Sequence, residues 1–209
     1  AKREGKRMED AVRDHVYSLN DKRYEKICRI SKYLSHEIPN NGSVMTQCFG
    51  ETIIGMMART LKEEEKNVRF FCPETRPYFQ GARLTATVLS EMGFDTTVIT
   101  DNMPAFVMRK ESIDVFTSAA DAITMDGYVV DKVGTLGIAI CAKYFGVKTY
   151  VTGDPDKFHK TIDDVKIEMR DPKFSLEAMG IRTAVDGVKG YYPAFDITPP
   201  SLIDGIVTD

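Results

Sequence analysis

Cys48, Glu74, Arg76, Asp101 and Asp121 each follow a short run of strand-like residues. In an open α/β sheet, ligands bind beyond the carboxyl ends of the strands, so this spacing gathers all five at one edge. A thiol at a helix start can have its pKa lowered, and Cys48 precedes a helix beginning near Phe49-Gly50. A thiolate there would serve proton transfer or attack, and the alternative is a small core residue. Asp121 reads either as a turn cap or, if burial raises its pKa, as a general acid or base. Arg76 could hold a carboxylate or phosphate by two bonds, but pairing with Glu74 to fix the loop is the expected role. Gly134-Thr135-Leu136-Gly137 opens an apolar helix whose free N–H groups and dipole would favour phosphate, with Lys132 offsetting its charge. On spacing alone, close packing is the favoured explanation of those glycines, with Asp121 capping a turn. Asp196, in PAFDITPP, caps a turn or reaches the same edge.

The elements that must position these groups follow from periodicity. Met8, Val12, Val16, Leu19, Ile27, Ile30 and Leu34 recur at helical spacing, giving one long helix or two interrupted near Asn20-Asp21. Strands are expected at 43–47, 68–72, 96–100, 113–116 and 148–152, with a final one at 206–208. Helices are expected at 49–61, 77–92, 103–108 and 134–145, the second ended by Gly93 and the third begun by Pro104. A turn at Asp126-Gly127 leads to a short apolar piece at 128–130. This alternation predicts an α/β fold: a Rossmann-like open, mainly parallel sheet with helices on both faces, preceded by N-terminal connecting helices. Residues 1–40 are expected to be connecting helices, the remnant of an N-terminal helical domain, and 41–209 the Rossmann-like catalytic domain.

The chain has 209 residues, 43% hydrophobic and 28% charged, enough for one sizeable core. A net charge of −3 and the lack of a basic stripe argue against nucleic acid as a partner. The basic residues Lys2, Arg3, Lys6 and Arg7 read as a solvated helix start. No CxxC pair joins the four cysteines, so no zinc site is expected; Cys28, Cys72 and Cys141 read as core. His15 and His36 read as solvated. No membrane-spanning run or signal peptide is seen, and a reduced, cytoplasmic protein is expected. No GxGxxG follows a predicted strand, which weakens a dinucleotide-binding reading. Ala1 opens an already helical composition, so the start reads as a cut within a longer chain.

Several segments stand in the order of one known family: ETRPYFQGARLTA (74–86), ITDNM (99–103), AAD (119–121), DKVGTLGIAICAK (131–143), EMRDP (168–172) and YPAFDITPPSLIDGIVT (192–208). They resemble the methylthioribose-1-phosphate isomerase family, related to ribose-1,5-bisphosphate isomerase and to regulatory subunits of translation initiation factor 2B. The resemblance covers nearly the whole chain. It implies an aldose–ketose isomerase acting on a pentose 1-phosphate, without metal or organic cofactor, with a sugar phosphate as partner and a homodimer as assembly. The family's catalytic cysteine falls on Cys48 and its catalytic acid on Asp121; substrate contacts fall on Gln80, Lys132 and Asp131. In the implied mechanism Asp121 protonates the ring oxygen or shuttles a proton between oxygens. Cys48 moves a proton between C2 and C1, and a hydride shift is the rival. The chain departs from the family in three places. Thr-His-Cys-Asn reads Thr46-Gln47-Cys48-Phe49, Gly-Ala-Asp-Arg reads Ala119-Ala120-Asp121-Ala122, and Asn-Lys reads Asp131-Lys132. The last sets an acid beside the expected phosphate, which needs a cation to offset it. A non-catalytic regulatory subunit binding a sugar phosphate or nucleotide is the second function class.

Overall fold

The computed structural model describes residues 7–209. A first helix, α1 (Met8–His36), leads to β1 (Ser43–Thr46), α2 (Glu51–Glu63) and β2 (Arg69–Pro73). A π-helical turn (Gly81–Thr85) runs into α3 (Ala86–Glu91), followed by β3 (Asp95–Ile99), α4 (Pro104–Glu111) and β4 (Val115–Ala119). The strands β5 (Ala122–Ile123) and β6 (Val129–Lys132) precede α5 (Thr135–Phe145) and β7 (Lys148–Thr152). The remainder holds a short α6 (Lys173–Leu176), a hairpin of β8 (Glu177–Ala178) and β9 (Ile181–Arg182), then β10 (Phe195–Thr198) and β11 (Gly205–Val207).

Six strands form one parallel sheet in the order β11-β7-β4-β1-β2-β3. Its rows show why the sequence reads as short apolar runs rather than clean alternation. Val44 lies opposite Phe70 and Val115, all facing a core with α1, α2 and α3. Met45, one residue on, lies opposite Phe71 and Phe116, which face a second core with α4 and α5. Both faces are covered, so successive side chains are buried on opposite sides. The strand order runs outward from β1 to β3, then returns to place β4 on the other side of β1. Loops leaving β1 and β4 therefore diverge and open a crevice between them, the switch point where ligands bind in such sheets.

Several expectations are corrected. Of the two readings of the first segment, the single long helix holds: α1 is continuous through Asn20 and Asp21. Its second half is anchored by Ile27, Ile30 and Leu34, while Met8, Val12, Val16 and Leu19 stand exposed. Of the N-terminal basic residues, Lys2, Arg3 and Lys6 lie outside the described residues, and Arg7 reaches Asp10 at 3.6 Å. Helix 77–92 begins late: residues 76–79 form a turn, and the π-turn starts at Gly81. Only glycine fits there, since a Cβ would lie 1.8 Å from the Pro73 carbonyl oxygen. Cys72 is buried, but Cys28 and Cys141 are only part-buried. A second sheet, β10-β6-β5, is antiparallel and was not expected. Among the described residues, no helix is long and apolar enough to cross a membrane.

Candidate active site

A cavity of about 340 Å³ opens at the switch point, and Gln47, Cys48, Gln80, Asp121, Asp131, Lys132 and Arg170 contribute to its wall. Every residue expected to carry chemistry or contact substrate (Cys48, Asp121, Gln80, Lys132 and Asp131) is thus brought to one place. Glu74, Arg76 and Asp101 are not part of this cavity. Asp101 instead accepts the backbone N–H groups of Thr75 and Arg76 at 2.7 and 2.6 Å, tying down the loop after β2. Arg76 does not bond to Glu74; it donates to the Glu177 carbonyl at 2.8 Å and lies over the Phe79 ring.

Cys48 leaves β1 in a left-handed conformation, φ 54°. A non-glycine residue holds that conformation only with help from its surroundings. Two threonines supply it: the Cys48 N–H donates to Thr75 Oγ1 at 3.2 Å, and the Thr85 hydroxyl donates to the Cys48 carbonyl. Gly50 lets α2 begin directly beside β4, since a Cβ there would lie 2.5 Å from the Ala119 Cβ. The helix start does not lower the thiol's pKa as its position suggested. Burial dominates and pushes Cys48 up to about 11, with the Phe49 N–H opposing and Asp131 adding to the rise. Cys48 is therefore a thiol at neutral pH.

Asp121 follows β4 and stands at the cavity mouth, open to solvent on one side. Its backbone N–H donates to the Val130 carbonyl at 3.0 Å, fixing it against β6. Partial burial raises its carboxyl pKa, while Lys132 and Arg170 draw it down. Asp131 and Lys132 end β6 and are almost fully buried, 2% and 4% exposed. The unexpected antiparallel sheet explains how two charged residues come to lie there. β10 pairs with β6 so that Asp196 is opposite Asp131 and Phe195 opposite Lys132. The Lys132 ammonium lies 4.7 Å from the Phe195 ring centre and donates to the Ala194 carbonyl at 3.1 Å. An ammonium carries three donors, so two remain for an anion in the cavity. Burial pushes the Asp131 carboxyl up to about 8, reinforced by the nearby Asp121 charge.

The start of α5 is not an open phosphate site. The Gly134 and Leu136 N–H groups both donate to the Asp196 carboxylate, at 2.6 and 3.1 Å. Of the two sequence readings of Asp196, the capping one holds. Replacing Asp196 with Ala frees those amides at the positive end of the helix dipole. It is expected to cost about 1–3 kcal/mol, read as a lower urea midpoint at unchanged m-value. Gln47, in the position of the family's histidine, is structural as well as cavity-lining. Its Nε2 donates to the Val133 carbonyl at 3.3 Å, bridging β1 to the loop before α5.

Arg170 is the cavity residue that sequence reasoning missed. It lies in an irregular segment without periodicity, and only the EMRDP motif pointed there. Its backbone N–H donates to the Tyr192 carbonyl at 2.9 Å. Its guanidinium is held by Glu168 through two bonds of 3.0 Å and lies over the Tyr78 and Phe195 rings. A cation so braced is preorganised to receive an anion. Gln80 adds a buried Oε1 atom without a partner among the described residues.

The Rossmann-type sheet thus sets an acid, a thiol and a buried cation around one cavity at its switch point. Residues 2–209 match the Initiation factor 2 subunit family, and the chain belongs to it. It is 41% identical over 173 residues to the 5-deoxyribose 1-phosphate isomerase of Clostridium botulinum (strain Hall), a match covering 81% of this chain and 49% of that protein. The crystal structure of 5-methylthioribose 1-phosphate isomerase from Pyrococcus horikoshii superposes with TM-score 0.81 at 31% identity, over 88% of this chain and 55% of that one. The translation initiation factor eIF-2B delta subunit from A. fulgidus superposes with TM-score 0.84 at 30% identity, over 92% and 59%. The chain spans about half the length of the curated relatives it matches.

Proposed function

We propose that the protein is an aldose–ketose isomerase that converts a pentose 1-phosphate to the ribulose 1-phosphate. The carrying observation is the convergence of Cys48, Asp121, Gln80 and Lys132 on one cavity at the switch point. The named isomerases among the relatives support the same reading. Lys132 and Arg170 would hold the phosphate. Phe49 and Leu84 offer an apolar wall, suited to a 5-deoxy or 5-methylthio substituent.

The 1-phosphate blocks spontaneous ring opening, so the site must assist it. At neutral pH the Cys48 thiol is protonated, and the Asp121 carboxylate is the base of the site. A thiol held protonated is a poor base toward a carbon-bound proton, so the route in which Cys48 moves a proton from C2 to C1 lacks its base. A hydride shift from C2 to C1, with Asp121 relaying protons between oxygens, fits the resting charges better. With the complete polypeptide and substrate deuterated at C2, NMR is expected to find the label retained at C1 of the ketose. Loss of the label to water would return the enediol route. Binding without turnover of 5-deoxyribose 1-phosphate, methylthioribose 1-phosphate or ribose 1,5-bisphosphate would favour a regulatory subunit. The homodimer implied by the family resemblance is part of the proposal, and sedimentation of the complete polypeptide tests it.

A further inference from the structure

Asp131 stands where the resembled family has a neutral amide, and an ionised carboxylate there would repel the phosphate the site is proposed to bind. The geometry removes the conflict. Asp121 and Asp131 both line the cavity, and each shifts the other's ionisation. Ionised carboxylates only accept, so two carboxyl groups bond to each other only through a proton. That proton belongs on the more buried member, and Asp131 is 2% exposed whereas Asp121 is open to solvent.

The Lys132 backbone N–H and the Ser118 hydroxyl on β4 favour an ionised Asp131, and burial outweighs them. Thr135, on α5, has its hydroxyl 3.0 Å from Asp131 Oδ2 and 2.8 Å from the Lys132 carbonyl, so its single proton cannot fully serve both. Asp196, opposite on β10, is engaged by two amides and adds a second carboxyl to the same region. Lys132 is the buried cation on β6, but its Nζ turns to the Ala194 carbonyl and the Phe195 ring. Arg170 is committed to Glu168. Cys48, on the β1–α2 connection, is a neutral thiol at neutral pH. With Arg170 balanced by Glu168, the one remaining cation, Lys132, stands among three carboxyl groups, and protonating one of them relieves the excess.

We propose that Asp131 is a positioning residue that enters the site as a neutral carboxylic acid, donating its O–H to the Asp121 carboxylate and so reproducing with an acid the neutral donor of an amide. Asp121 stays charged and oriented, and the phosphate meets no opposing charge. The kinetic consequence rests on the isomerase reading, but the protonation state does not.

The test is a carbon-13 NMR titration of the complete polypeptide labelled at aspartate carboxyl carbons, with Asp131 assigned by Asp131→Asn. Burial pushing the group up to about 8 places its expected transition far above the ordinary 3.8. In Asp121→Asn the midpoint is expected to fall, because the neighbouring charge that holds the proton on is gone. A wild-type midpoint below pH 5, or one that Asp121→Asn leaves in place, would overturn the proposal even if isomerase activity is found. The pH–rate profile is the second readout. Its alkaline limb is expected to disappear in Asp131→Asn, where nothing ionises, and persistence of that limb unmoved would also count against the proposal. Should the protein prove inactive on every pentose phosphate, the titration still decides. Stability gives a third sign. The folded state binds a proton at Asp131 between about pH 4 and 8 that the unfolded chain releases, so stability should fall more steeply across that window in wild type than in Asp131→Asn.

Discussion

Asp121→Asn is expected to lower turnover of the pentose 1-phosphate by roughly 10²- to 10⁴-fold, the usual share of a positioned general acid or base. The amide keeps the shape and can still contact Asp131, so the structure should hold while proton transfer fails. Measurement of kcat and KM separately makes the test sharp. The loss should fall on kcat, because the phosphate contacts from Lys132 and Arg170 are untouched. In the wild type the Asp121 carboxyl has a raised pKa, caused first by burial. Activity should therefore fall as pH drops through that raised value, and the acid limb should sit above the ordinary aspartate range. A kcat near the wild-type value in Asp121→Asn would remove Asp121 from the chemistry.

Lys132→Met carries the second large effect. Methionine keeps most of the stem but deletes the buried ammonium that lies over Phe195, with two donors to spare. A hydrogen bond to a charged group contributes about 1.5–3 kcal/mol, so kcat/KM should drop on the order of 10- to 10²-fold per lost phosphate contact. The loss should appear mainly in KM. A second signature distinguishes this from simple damage. Lys132 holds the Asp121 pKa down, so its removal should move the acid limb to higher pH. Unchanged KM in a folded Lys132→Met protein would mean that the phosphate is held elsewhere.

The parallel sheet was legible in the sequence because burial on both faces writes itself as short apolar runs, as in β1 and β4. Helices α4 and α5 were legible through Pro104 and Gly134 at their starts. The antiparallel sheet was not. Its strand β5 has two residues, and β6 meets β10 across a segment without periodicity, so no local pattern announces the pairing. That hidden sheet turns Asp131 and Lys132 into buried cavity residues and delivers Asp196 to the start of α5. Helix 77–92 shifted for a comparable reason: backbone contact at Gly81, not side-chain pattern, decides where the π-turn begins. The family resemblance pointed to Cys48 and Asp121, which both line the cavity, but position alone gave the wrong sign for the thiol. A helix start favours a thiolate, and burial outweighs it. Arg170 was hidden because an arginine in irregular sequence looks solvated until the aromatic rings beneath it are seen.

The unequal burial of the two cavity cations also divides how the site responds to its medium. Lys132 is 4% exposed, so mobile ions scarcely reach it, and its pull on an anion is nearly independent of ionic strength. Arg170 has a side chain 27% exposed and already neutralised in part by Glu168, so added salt weakens its share. Affinity for a phosphate ester would then settle at a salt-resistant floor set by the lysine, with the arginine contributing the portion that varies with the surrounding electrolyte.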